Sequence, residues 1–147
     1  MSQASLLELL GPPAGGTLGL AGLMPSIRAE MFRVAEAYEP GRKMLADAVS
    51  KVAQREAVPI TSSGAKSVST DLLDKWLQPG AAGHAPNVHA IMCFCAAVGD
   101  FSPLLPLLKP AGLTVIPKDE LKYLKYGRNR DAARKIEKEK RQLEAEL

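Results

Sequence analysis

The fold turns on one stretch, Val68-Ser69-Thr70-Asp71-Leu72-Leu73-Asp74-Lys75-Trp76-Leu77-Gln78. Ser69 belongs to the residue types that cap a helix, Asp71 puts a negative charge in the first turn, and Val68 and Leu73 stand where a hydrophobic staple closes a helix start. A short helix is expected over 68–78, stopped by Pro79 and Gly80. On a 3.6-residue period Leu72, Leu73, Trp76 and Leu77 share one face, and Thr70, Asp71, Asp74, Lys75 and Gln78 share the other. The first face must pack. The second carries hydroxyl, carboxylate, ammonium and amide groups, the types that meet base edges and phosphates in a DNA major groove. A solvated outer face of an ordinary amphipathic helix would look the same, so this stretch alone leaves both readings open.

Working outward, a helix capped by Ser26 and running to Tyr38 carries Ile27, Met31, Val34, Ala35 and Tyr38 on one stripe, and Pro40 and Gly41 break it. A second helix over 42–54 has Leu45, Val49 and Val52 as its apolar stripe, with Arg42 and Lys43 near its start. Residues 57–67, with Pro59, Gly64 and several hydroxyls, form a loop or short β-turn leading into 68–78. That order suits a helix-turn-helix with an expanded turn, although an isolated helix hairpin would read alike. On the other side, 88–98 is a helix apolar almost all round, expected at the centre of the core. Ser102 and Pro103 then open a short helix over 104–108. Residues 112–116 have β-branched character and are expected as an extended arm or small ribbon. One helix follows from Pro117 to about Tyr126, and Gly127 separates it from a last charged helix over 129–147.

The whole chain of 147 residues is 46% hydrophobic but only 5% aromatic, which favours an all-helical protein. The expected fold class is all-α: a compact, repressor-like helix-turn-helix domain over 26–117, preceded by a flexible Gly/Pro-rich segment over 1–25 and followed by a charged helical extension over 118–147. The uncharged run 9–27 is long enough to span a bilayer, but its five glycines and three prolines argue against a spanning helix, so no membrane partner is expected. Residues 1–10 lack a basic start and do not read as a secretory signal, and a short helix is expected over 5–10.

Charge is uneven. Residues 1–117 hold nine basic and nine acidic side chains, whereas 118–147 hold ten and seven, so the entire net charge of +3 lies in the last 30 residues. Within them Lys122, Lys125, Arg128, Arg130, Arg134 and Lys135 face a single acid, Asp131, with Tyr123 and Tyr126 interleaved. This is a polyanion contact or a solvated helix. Asn129, Ala133, Ile136, Lys140, Leu143 and Leu147 follow an alternating four-three spacing, only partly apolar, which is expected to give a weak self-association contact. Asp131 with Lys135, and Glu137 with Arg141, are candidate helix-supporting pairs.

Cys93 and Cys95 are the only cysteines, both in an apolar run, which points to core positions in a reducing compartment. His89 and Cys93 are one turn apart, but the spacing of His84, His89, Cys93 and Cys95 matches no zinc pattern, and no metal or cofactor is expected. The chain has no Gly-rich phosphate loop and no nucleophile elbow, so no catalytic role is expected.

The order of Leu72-Leu-Asp-Lys-Trp-Leu-Gln-Pro79, Pro86, Phe94-Cys-Ala-Ala-Val-Gly-Asp-Phe-Ser-Pro-Leu104, Gly112-Leu-Thr-Val-Ile116 and a closing charged helix resembles the small helix-turn-helix regulators of temperate and Mu-like transposable phages and prophages. The resemblance runs over about 26–147, with departures at the long connection 57–67 and at the Gly/Pro-rich start. It implies that 69–78 is a recognition helix supported by the apolar helix ending in Gly-Asp. Thr70, Asp71, Asp74, Lys75 and Gln78 would then face the groove, with Lys66, Ser67 and Ser69 near the helix start and Arg42 and Lys43 against phosphate. A carboxylate near DNA is costly unless it accepts from a cytosine amine or orients a neighbouring cation, so Asp71 or Asp74 is expected to have a structural role. The expectation is a sequence-specific regulator that binds double-stranded DNA in the cytoplasm of a bacterial host, with a homodimer as candidate assembly. The alternatives are a non-catalytic helical adaptor or phage assembly factor that binds protein through the last helix, and an RNA binder that stacks bases on Tyr123 and Tyr126.

Overall fold

A computed structural model describes residues 19–147; the helix expected near 5–10 and most of the segment expected to be flexible lie outside them. Six α-helices follow in order: α1 Leu23–Glu36, α2 Arg42–Glu56, α3 Thr70–Trp76, α4 Val88–Val98, α5 Leu105–Leu108 and α6 Leu121–Glu146. Single 3-10 turns occur at Leu20–Gly22, Ser102–Leu104, Lys109–Ala111 and Lys118–Glu120, and there is no strand among the described residues. The protein is all-α. None of the described helices is long and apolar enough to cross a membrane. The chain divides after Thr114 into two units, three residues before the expected boundary.

The first unit is built on α4. It buries Ala90, Ile91, Cys93, Phe94 and Cys95, and its most extensive packing is against α2, which contributes Leu45, Ala46, Val49 and Ala53. Asn87 caps α4 by accepting from the Ala90 amide at 2.7 Å, and Gly99 ends it in the left-handed region at φ 72°, where a glycine carries no Cβ penalty. α1 lays Ile27, Met31, Val34 and Ala35 into the same core, and its other side meets Ser102–Leu104 and α5.

Local expectations differ from the structure at several points. α1 starts at Leu23, not at Ser26, and Gly22 is its cap. Pro25 is tolerated inside the first turn because those amides have no helical partner to lose. Ser102 does not cap the turn at 102–104 but is its first residue, after Phe101; the Asp100 carboxylate accepts from the Ser102 amide at 2.9 Å and from its hydroxyl. Of the two readings of 112–116, the small ribbon is absent, since these residues form no ladder; Gly112 takes φ 69° to close the preceding 3-10 turn, and Leu113 donates back to the Leu108 carbonyl at 3.2 Å. Gly127 does not interrupt the last helix, which runs unbroken for 26 residues. A helical glycine costs only about 1 kcal/mol, too little to stop a run so rich in Lys, Arg, Glu, Ala and Leu.

The second unit is α6 with its short lead. No residue of α6 is buried. The pair Glu137–Arg141 forms at 3.1 Å, whereas Asp131 and Lys135 do not pair.

Candidate nucleic-acid interface

α3 is only seven residues long, yet both its ends and its inner face are tied to the rest of the unit. Ser69 caps it as expected, its Oγ accepting from the Leu72 amide at 3.1 Å, and Val68 and Leu73 both enter the core as the staple requires. Leu73, Trp76 and Leu77 are buried, and Leu72 packs against the core edge. The α-helix ends at Trp76, two residues before Gln78, with Leu77 as its C-cap.

Two buried polar side chains complete the seating of α3. Ser50 of α2 accepts from the Val68 amide at 2.9 Å and has the Ala46 and Val68 carbonyls as acceptors for its hydroxyl at 2.8 and 3.3 Å. Arg28 of α1, only 2% exposed, reaches the other end of α3. Its Nε donates to the Trp76 carbonyl at 2.8 Å, Nη1 to Ala81 at 2.9 Å and Nη2 to Lys75 at 2.6 Å. These carbonyls stand at the negative end of the helix and in the turn after it, so a buried cation replaces the missing helical donors. Burial pulls the Arg28 guanidinium below its ordinary value. Neither residue was singled out from the sequence. The available signal was Arg28 sitting between Ile27 and Met31 on the buried stripe of α1.

The connection 57–67 is also anchored. Ala57 takes the left-handed region at φ 55° to end α2, and Ile60 is 1% exposed in the core. The loop closes through Ile60 N–H to Ala65 O at 2.8 Å and Ala65 N–H to Thr61 Oγ1 at 2.9 Å.

On the outer face, Ser69, Asp71, Lys75 and Gln78 are exposed, and Thr70 and Asp74 are half-buried. Asp74 pairs with Arg42 at 3.3 Å; the same guanidinium reaches Glu36 at 2.5 Å and lies over the Phe32 ring at 5.6 Å. The structure therefore brings Arg42 to the α3 face but commits it to two carboxylates, one of them Asp74. Lys43, Lys66 and Ser67 are exposed on the flanking elements and make no hydrogen bond or ion pair to α3.

The remaining candidates lie elsewhere. Cys93 and Cys95 are buried core thiols, Cys95 pushed up to about 11 and Cys93 raised, in each case mainly by burial, while His89 is exposed. The six basic side chains over 122–135 are all exposed on α6, with the Lys122 ammonium 5.1 Å from the centre of the Tyr123 ring. A groove of about 850 Å³ opens between α1 and the segment 102–114, where Glu30 and Arg33 pair with each other at 2.9 Å. Comparison of the chain with protein-family models, with curated proteins and with solved structures finds no match.

Proposed function

We propose that this protein is a sequence-specific DNA-binding regulator of the phage and prophage type, with α2 and α3 acting as a helix-turn-helix of expanded turn. The observation that carries the reading is the seating of α3: Ser69 and Ser50 hold its start, Arg28 holds its end, and its apolar face is buried, so Thr70, Asp71, Lys75 and Gln78 are offered outward on a rigid support. Base readout needs that kind of support, because contacts to base edges lose their selectivity when the reading side chains wander. Lys43 and Lys66 supply exposed charge beside the face, and the basic run of α6 supplies a sequence-independent phosphate contact. A double-stranded DNA partner in the cytoplasm of a bacterial host follows from this reading.

The test is a salt titration of binding to random duplex DNA, single-stranded DNA and RNA. Preference for duplex with affinity falling steeply as salt rises supports the regulator. A preference for single strands supports stacking on Tyr123 and Tyr126 instead. Absence of binding at low salt overturns the proposal and favours an adaptor that binds protein through α6, a reading supported by the exposure of Ile136 and Leu143 at 66% and 64%.

A further inference from the structure

We infer that α6 pairs with the α6 of a second copy of this chain, and that the two helices run antiparallel. This does not rest on the DNA reading. Ile136 and Leu143 are exposed on a 26-residue helix that buries nothing of its own, Leu147 is exposed just past its end, and with Asn129, Ala133 and Lys140 they form one seam of four-three spacing. A groove lined by Ala133, Ile136 and Lys140 runs along it. Extending the same spacing towards the start of the helix adds Tyr126, also 66% exposed.

The orientation follows from the charges that flank the seam. Lys125 and Arg130 stand beside its first half, and Glu137, Glu139, Glu144 and Glu146 beside its second. In a parallel pair the flanking contacts join residues five apart on the two chains. Lys125 would then meet Arg130, and Glu139 would meet Glu144, like against like on both sides. In an antiparallel two-fold pair every contact is made twice in reciprocal form. The layers become Tyr126 on Leu143, Asn129 on Lys140 and Ala133 on Ile136, apolar on apolar or polar on polar, with Leu147 at the end opposite Lys122. The flanking pairs become Arg130 with Glu137 and Lys125 with Glu146, and no like charges meet. Sliding one helix by a heptad in either direction sets Glu137 or Arg130 against its own copy, so the charges choose the register as well. The starts of the two α6 helices then lie about 41 Å apart along the axis, at opposite ends of the pair.

The test uses the full chain with single cysteines introduced at Tyr126→Cys or Leu143→Cys, the native Cys93 and Cys95 being buried. Sedimentation should show a concentration-dependent passage from monomer to dimer. Under mild oxidation, a mixture of the two variants should give the mixed disulfide, and neither variant alone should cross-link, since a residue at 126 lies about 25 Å from its own copy in the antiparallel pair. The double variant Lys125→Glu/Arg130→Glu should be monomeric, and mixing it with Glu137→Lys/Glu146→Lys should restore the dimer. A monomer at every concentration, or cross-linking of each variant with itself, overturns the inference.

Discussion

The Arg28 guanidinium donates through Nε to the Trp76 main-chain oxygen at 2.8 Å, joining residues 48 apart in the chain. One side chain of α1 thus closes the end of α3 while Trp76, whose carbonyl it takes, fills the core. Arg28→Ala leaves the carbonyls of Lys75, Trp76 and Ala81 without these donors. It should destabilise the unit by about 2–4 kcal/mol, the scale of losing one to two charge-assisted hydrogen bonds to buried acceptors. Urea denaturation of the two proteins checks this, and an unchanged midpoint would show that Arg28 does not hold α3.

Trp76 is a packing residue, 2% exposed and surrounded by the core cluster. Trp76→Ala should cost about 3–5 kcal/mol through lost burial and the cavity left behind. A variant that melts with the wild type but has lost a ligand would instead make the ring a stacking platform.

The first turn of α3 was legible in the sequence because everything that makes it is local: the cap Ser69 lies three residues from the amide it serves, and the staple residues Val68 and Leu73 are five apart. The same holds for the apolar stripes of α1, α2 and α4. Arg28 and Ser50 were not legible, because their partners lie 48 and 18 residues away and only the packed helices bring them together. Gly127 was misread for the opposite reason: a local breaker signal was set against a whole helix of strong formers. Of the candidate site, the α3 face could be read from periodicity, but the engagement of Arg42 by Asp74 and Glu36 could not, since it depends on how α2 meets α3.

Asp100 gives the fold a pH signature. Hydrogen bonds from the Ser102 hydroxyl and then its amide hold the Asp100 carboxyl below its ordinary value, with the Arg33 charge adding to them. A depressed folded value means that the contribution is fully present above about pH 4, the unfolded value, and is lost as pH falls through the folded one. Ser102→Ala should therefore cost about 0.5–1 kcal/mol at pH 7, a modest figure because the pair is open to solvent, and almost nothing near pH 2. Thermal melts at both pH values decide it; an equal penalty at the two would remove the carboxylate from the explanation.

Cys95, with a thiol pushed up to about 11 chiefly by burial, and Cys93, also raised by burial, should resist alkylation at pH 7. Labelling with iodoacetamide should be slow in native buffer and should accelerate only where urea unfolds the protein. Rapid labelling of either thiol in native buffer would show that α4 is not the closed centre of the core.

The outward face of α3 is tested most directly by equilibrium binding of the wild type and of the double variant Thr70→Ala/Lys75→Ala to one duplex selected for tight binding, at fixed salt, with thermal melting run on both. Reading by this face predicts a loss of about 1–3 kcal/mol for each base contact removed, with the melting temperature unchanged. Equal binding by the two folded proteins would contradict it and would remove α3 as the reading helix.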